Sequence, residues 1–572
     1  MHLSSNANLS ELFLERIRQT PALPAYRQFT GERWSDWTWA DAAREVGCWQ
    51  AALQREGLRP GDRVALCLRN CVEWVWFDQA ALGLGLVTVP LYFDDRPENM
   101  AWCLNDAGVR LLLLEDGAQW STLRDRAKTI ERVVCLRRVV QEDPQITHVA
   151  DWLPAPGSEP IRSRAFPNDL ATIVYTSGTT GRPKGVMLTH RNILSNVVAA
   201  MRALTASSSD RFLSFLPLSH MFERTCGYYS SVWAGAQTVY ARSIAQLAED
   251  MQTQRPTILV AVPRIFERIW WRMQEQMVPG SLKRRLFDMA VASGWRRFRG
   301  EATVVDRLRW PILKILVVKK LQRRLGGRIR LMAVGGAAFA PDLARIFVGL
   351  GLPISQGYGL TEAAPILTAN RLDDNDPLTV GRALEGVELR CASNGELLAR
   401  GPNIMLGYWN LGQVTRAVID SDGWLHTGDL AQLRNGRVTI TGRMKEIIVM
   451  SSGEKVAPDD AEQAIRRDPV FEQVMVVGEG RGKLGLLCVA KIADLHELCT
   501  RANAQLRDFP GYVRICHVAR VADAWTVENG LLTSKLSMRR KEVERRYDNE
   551  IASMYATTDF SRKRCASELV TH

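Results

Sequence analysis

The run Y-T-S-G-T-T-G-R-P-K-G at 175–185 directly follows the apolar stretch A-T-I-V, and no other segment limits the possible folds of this chain as tightly. A short apolar run closed by glycines reads as a buried strand that ends in a loop. Thr176, Ser177, Thr179 and Thr180 supply hydroxyls. Gly178, Gly181 and Gly185 free the backbone to curl until its N–H groups converge on an anion, and Lys184 adds a mobile cation. The spacing excludes the common P-loop, because Pro183 stands where that pattern has its second glycine. By residue type alone the run is either a phosphate cradle at a strand's end or a surface turn rich in Ser, Thr and Gly.

The surrounding pattern favours an α/β fold. Up to about residue 170, helical stretches such as A-D-A-A-R-E-V-G-C-W-Q-A-A-L alternate with apolar runs such as R-V-A-L-C-L and V-T-V-P-L-Y, as βα units of a parallel sheet do. I-L-V-A-V ending at Val262 and R-L-M-A-V-G-G-A at 330–337 continue the series. Short strands and turns at about 378–441 predict a small β subdomain, and strands near 473–477 and 484–490 predict a smaller mixed domain after Gly442. With 572 residues, 46% of them apolar, the chain can bury a core for two or three domains. The expected division is a body over 1–442, a smaller α+β domain over 443–555 and a tail over 556–572.

Three further motifs follow in order: G-Y-G-L-T-E at 357–362, D-G-W-L-H-T-G-D-L at 422–430 and G-R-M-K-E at 442–446. Together with the glycine-rich run they resemble the signatures of the adenylate-forming (AMP-binding) superfamily over nearly the whole chain. The resemblance implies a two-step reaction with ATP, Mg2+ and CoA. A carboxylate attacks the α-phosphate, pyrophosphate leaves, and a thiolate then displaces AMP from the acyl adenylate. Anions are brought together in both steps, so cations and oriented donors must carry the catalysis.

The resemblance also distributes roles. Residues from Thr176 through Ser177, Gly178, Thr179, Thr180 and Gly181 to Lys184 would hold the β- and γ-phosphates. Thr361 would contact the α-phosphate, and Glu362 would bind magnesium, which keeps several waters and needs few protein ligands. Tyr358 and Gly359 would face adenine from one side, with Gly335, Gly336 and Ala337 forming the other wall. Asp429 would accept the ribose hydroxyls, Arg443 would pair with ribose or phosphate, and Lys445 would be the hinge residue.

P-L-S-H-M-F-E-R at 217–224, V-P-R-I-F-E-R-I at 262–269 and S-G-E-K-V-A-P at 452–458 resemble the long-chain fatty acyl-CoA synthetase branch. His220 would then lie near the substrate carboxylate. A departure occurs near the end of the chain. The family's lysine that bridges carboxylate and α-phosphate aligns with Ser537 in G-L-L-T-S-K-L-S-M-R-R at 530–540. Lys535 is two residues away, about 6 to 7 Å in extended backbone, and is expected to replace it; a solvated lysine is the other reading. Two alternatives therefore stay open beside a CoA ligase: a fatty acyl-AMP ligase that loads a carrier protein, and an adenylation-impaired nucleotide-binding homologue.

The formal net charge of +12 is localised. Residues 283–330 hold fifteen Lys or Arg against Asp288, Glu301 and Asp306, a surplus equal to that of the whole chain. Aromatic and aliphatic residues interleave with these cations as in an interfacial amphipathic helix. An anionic membrane and a solvated basic face are the two readings; no nucleic-acid module accompanies the charge. Eleven scattered cysteines without a C-x-x-C pair suggest reduced thiols, and the start shows no secretory pattern. The run from Ala80 to Phe93 is too short to span a bilayer. The expected location is cytoplasmic, with peripheral contact at the inner face of a membrane as an option.

Overall fold

A computed structural model describes residues 7–137, 143–155, 160, 165–176, 182–452, 454–533 and 538–556, with only the backbone of Lys445. The chain divides into two compact units. One comprises Met1–Arg390, Leu398–His426 and Leu433–Thr439, the other Cys391–Leu397, Thr427–Gln432 and Ile440–His572.

The first unit is built on two sheets. In one, Gly407–Tyr408, Lys184–Thr189, Leu170–Thr176, Val87–Pro90, Arg63–Cys67, Leu111–Leu114, Arg132–Cys135 and Ile146–His148 lie side by side. The strands from Leu170–Thr176 onward run parallel, and Lys184–Thr189 returns antiparallel beside Leu170–Thr176. In the other, Gln237–Tyr240, Arg211–Ser214, Ile258–Ala261, Leu331–Val334 and Ile354–Gly359 form the parallel centre. Ile366–Ala369 and Arg382–Ala383 then add antiparallel strands, and the segment at about 378–441 carries short strands as expected, among them Glu388–Cys391, Glu396–Arg400, Leu425–Arg434 and Arg437–Arg443. Parallel strands buried on both faces need unbroken apolar runs, and this is why A-T-I-V, I-L-V-A and L-M-A-V are legible as strands.

Local chemistry sets the element ends. The helix Trp39–Arg55 starts with a capping box: the Thr38 hydroxyl accepts the Asp41 N–H at 3.1 Å, while the Asp41 carboxylate accepts the Thr38 N–H at 2.8 Å. The apolar run after Ala80 is no single element. It ends the helix Val72–Gly83, turns at Gly85 with φ +73° and enters the strand Val87–Pro90. Among the described residues no helix is long and apolar enough to cross a membrane. The ten described cysteines are free thiols.

One polar cluster is buried in this core. Arg224, with a fully buried side chain, donates to Asp78 at 2.5 Å and to the Thr172 and Thr88 hydroxyls at 2.9 Å each, while the Tyr229 hydroxyl donates to Asp78 at 2.8 Å. It ties two strands of the first sheet to the helix Val72–Gly83 and to the π-helical turn Glu223–Tyr229.

In the second unit, Phe471–Val477 and Ile515–Arg520 flank Leu484–Ala490, antiparallel and parallel respectively. The helix Leu495–Gln505 packs against Ile515–Arg520. Arg540 donates to Glu462 and to the Val476 carbonyl, both at 2.5 Å, anchoring the C-terminal helices to this sheet.

Candidate active site

The glycine-rich run begins where the sequence places it, at the end of the strand Leu170–Thr176. Thr176 and Lys184 are register partners across the hairpin. Ser177, Gly178, Thr179, Thr180 and Gly181 lie outside the described residues. Gly185 does not belong to the curl. It pairs with Tyr175 inside the hairpin, where a Cβ would approach Ile173 Cγ2 to 2.7 Å and Tyr175 Cζ to 3.2 Å. Its small size serves packing between strands. The hairpin is clamped on its outer side. The Tyr175 hydroxyl donates to Asp106 at 2.6 Å, and Trp409 gives its backbone N–H to Gly185 and its indole N–H to the Asp106 carbonyl.

The second cluster forms where the strands Leu331–Val334 and Ile354–Gly359 end side by side. Ligands of open α/β sheets bind at such carboxyl ends. Gly335 and Gly336 leave the first strand, with φ +79° at Gly336, and Gly336 and Ala337 are exposed. Tyr358 and Gly359 close the second strand, and Thr361 and Glu362 follow in the turn Thr361–Ala363. That turn is held firmly: Asn403 donates to the Ala363 carbonyl at 2.8 Å, the Met405 N–H to the Glu362 carbonyl at 2.9 Å, and Thr225 to the Ala364 carbonyl at 3.0 Å. Gly359 is required by the chain itself, since a Cβ there would stand 1.8 Å from the Pro365 carbonyl oxygen.

His220 is partly buried at the start of the turn leading to Glu223–Tyr229. Its Nδ1 accepts the Phe222 N–H at 3.1 Å and its carbonyl accepts the Arg224 N–H at 3.0 Å, so the network leaves the proton of the neutral ring on Nε2. The Phe222 ring covers Gly335, whose Cβ position is 3.2 Å from Phe222 Cζ. The His220 segment therefore abuts the expected adenine wall.

Thr176 with Lys184, Tyr358 through Glu362, Gly335 through Ala337 and His220 all belong to the first unit. Asp429 and Arg443 belong to the second. There Arg443 Nε pairs with Asp429 Oδ1 at 3.0 Å, the carboxylate buried and the guanidinium 60% exposed. Gly442, with φ +148°, precedes Arg443, and the backbone of Lys445 lies in the turn Met444–Glu446. Lys535 and Ser537 lie outside the described residues. Leu532 and Met538 on either side of them form an antiparallel bridge.

Residues 13–409 match the AMP-binding enzyme family and residues 445–559 its C-terminal domain. The chain belongs to the AMP-binding enzymes. Within that family it falls in the long-chain acyl-CoA synthetase branch. It is 30% identical to the long-chain-fatty-acid–CoA ligase FadD15 of Mycobacterium bovis, over 96% of this chain and 97% of that one. It is 26% identical to the chloroplastic long-chain-fatty-acid–[acyl-carrier-protein] ligase AEE15 of Arabidopsis thaliana, over 91% of this chain and 82% of that one. The fold is shared with o-succinylbenzoate coenzyme A synthetase of Bacillus subtilis, solved with ATP and magnesium, at a TM-score of 0.72 and 20% identity, over 94% of this chain and all of that one.

Two features beside this AMP-binding enzyme's expected site residues are given no role by the motifs. The first is Tyr408. Its strand pairs with Lys184–Thr189, its hydroxyl donates to Glu362 Oε1 at 2.9 Å, and Lys184 Nζ sits 5.2 Å from its ring centre. It thus links the expected phosphate cation to the expected metal carboxylate. Burial and the neighbouring Glu362 push the Tyr408 phenol up from its ordinary value, so it stays protonated and donates. The second is Glu223, three residues beyond His220. Burial pushes its carboxyl up to about 8, and Oε2 has no hydrogen-bond partner among the described residues.

The chemistry of the donors suits magnesium held mostly by substrate. Among the described residues no group of three or more His, Cys, Asp or Glu is placed to hold a metal, whereas Glu362 offers one carboxylate already oriented by Tyr408.

Proposed function

We propose that the protein activates a long-chain fatty acid with ATP, releasing pyrophosphate, and transfers the acyl group from the acyl-AMP to CoA. The observation that carries this reading is the convergence of Tyr358, Thr361 and Glu362 with Gly335, Gly336 and Ala337 at two adjacent strand ends, joined to Lys184 through Tyr408. Adenine would lie between Tyr358 and the Gly335 segment, with Gly359 beneath it. Residues from Thr176 and Ser177 through Gly181, with Lys184, would grip the β- and γ-phosphates, and Thr361 the α-phosphate. Glu362 would hold Mg2+, which would supply positive charge against the charge developing on the phosphates. His220, proton on Nε2, would donate to the substrate carboxylate. Asp429 would accept both ribose hydroxyls, with Arg443 as its companion cation.

We assign the body to 1–442, the lid to 443–555 and the tail to 556–572, with Lys445 at the hinge and Lys535 as the cation delivered during adenylation. A lid that presents different faces for the two half-reactions explains why the expected residues fall on both sides of the hinge. The partners are fatty acid, ATP and CoA, with the basic segment 283–330 at an anionic membrane on the cytoplasmic side. A second reading, transfer to a carrier-protein thiol, is supported by the similarity to the acyl-carrier-protein ligase AEE15. A third, a nucleotide binder that has lost adenylation, rests on Ser537.

The test is exchange of labelled pyrophosphate into ATP with palmitate, followed by product analysis with CoA or with acyl carrier protein. Exchange with acyl-CoA formation is expected. Absence of exchange refutes adenylation, and acylation of the carrier protein alone refutes the CoA assignment. Lys535→Ala is expected to abolish acyl adenylate formation; an unchanged rate sinks the role given to Lys535.

A further inference from the structure

The basic segment folds as the helices Leu282–Phe298, Val304–Leu313 and Lys319–Arg324, the last two joined by the π-helical turn Lys314–Val318. Its inner side is anchored hard. A Cβ on Gly294 would stand 1.8 Å from the Gly349 carbonyl oxygen, so helix Leu282–Phe298 lies directly on helix Pro341–Gly349. Asp306 accepts from Ser293 at 2.7 Å and from Arg296 at 2.7 and 2.5 Å, pinning the second helix to the first. Leu313, Val318 and Leu321 are buried.

The outer side has the opposite composition. Val304, Leu308, Ile312 and Ile315 recur every three or four residues, which places them along one helix face. They are 71%, 73%, 60% and 60% exposed. A ridge of four aliphatic side chains held out in water costs solvation free energy that no contact among the described residues repays. Cations flank it: Arg307 and Lys314, seven residues apart, along one border and Arg309 along the other, with Lys319 and Lys320 beyond. Each of these five is exposed and has no acidic partner among the described residues. Several other cations of the segment are spent on internal pairs, Arg284 with Asp288, Arg296 with Asp306 and Arg330 with Asp210.

We propose that the ridge Val304, Leu308, Ile312 and Ile315 inserts into the acyl boundary of an anionic bilayer while Arg307, Arg309 and Lys314 bind headgroup phosphates. An apolar crest between unpaired cations requires a partner that is apolar at depth and anionic at its rim, which a bilayer with acidic lipids supplies. A second copy of the chain is disfavoured, because two such faces would bring like charges together. The surface adds a hydrophobic component to the membrane contact proposed from charge, and it does not depend on the reading of the active site.

The test uses the full chain, without ATP or acid, sedimented with vesicles of phosphatidylcholine and phosphatidylglycerol or of phosphatidylcholine alone. Binding to the anionic vesicles is expected, weakened by salt. The double variant Leu308→Asp with Ile312→Asp should lower the partition coefficient at least about tenfold, and Arg309→Glu with Lys314→Glu should remove most of the salt-sensitive part. Both pairs are exposed, so the melting temperature should stay that of the parent protein. As a second measurement on the unaltered chain, amide exchange over 304–316 should slow with anionic vesicles only. Equal binding to both vesicle types, unchanged binding of the aspartate variant, or a dimer that the aspartate variant dissolves would each overturn the proposal. Because vesicle binding and pyrophosphate exchange are read separately, failure of one leaves the other standing.

Discussion

Replacing Tyr408 with phenylalanine removes one hydroxyl and keeps the ring. Tyr408 is 8% exposed and its ring faces Lys184 Nζ, so burial and the cation–π contact survive the change. What disappears is the 2.9 Å hydrogen bond that holds Glu362 Oε1. A glutamate freed of its partner regains side-chain freedom worth about 1.5–2 kcal/mol, which metal binding must then overcome. At about 1.4 kcal/mol per tenfold, the half-saturating Mg2+ concentration should rise about ten- to thirtyfold. Turnover at saturating Mg2+ should change little, because the carboxylate still reaches the ion once the ion is bound. The assay is pyrophosphate exchange across a Mg2+ titration at fixed ATP, with unfolding followed in parallel. Glu362→Gln alone and combined with Tyr408→Phe completes a cycle in which the tyrosine change should add almost nothing once the carboxylate is gone. An unchanged Mg2+ midpoint in a folded Tyr408→Phe variant refutes the positioning role.

Two further outcomes concern buried charge. Asp78→Ala leaves the Arg224 guanidinium without its counter-ion in a fully buried site and should cost about 3–5 kcal/mol in urea unfolding, whereas Asp78→Leu with Arg224→Met should cost far less; equal losses would contradict the network argument. Glu223 has a folded-state value of about 8 against an ordinary 4.5, so the folded chain holds the proton more tightly and stability should fall as pH rises from about 4.5 to 8. Glu223→Gln cannot ionise and should flatten that decline, measured as melting temperature against pH; an unaltered slope would remove Glu223 as its source.

Much of this enzyme is written locally. A short apolar run closed by turn residues reads as a strand buried on both faces, so Leu170–Thr176, Ile258–Ala261 and Leu331–Val334 are legible without coordinates. Glycine-bearing motifs are legible as well, because few residues tolerate the backbone geometry they mark. Their local meaning is less secure. Gly185 and Gly359 read as ligand-facing glycines, yet both are also demanded by contacts with Ile173 and Pro365. The basic segment is legible as amphipathic helix, but only burial of Asp306, Leu313 and Leu321 decides which of its apolar residues are core and which form the outward ridge.

The order of motifs by itself determined the family, the α/β class and the candidate residues, since each motif is a short stretch whose chemistry is carried by its own backbone and side chains. Tertiary structure alone decided that Tyr408 joins Lys184 to Glu362, that Arg224 and Asp78 neutralise each other out of water, and that Asp429 meets Arg443. Those partners stand 46, 146 and 14 residues apart in the case of Tyr408–Glu362, Arg224–Asp78 and Asp429–Arg443. Side chains that far separated carry no shared periodicity or local constraint. Only sheet register and packing bring them within hydrogen-bonding distance.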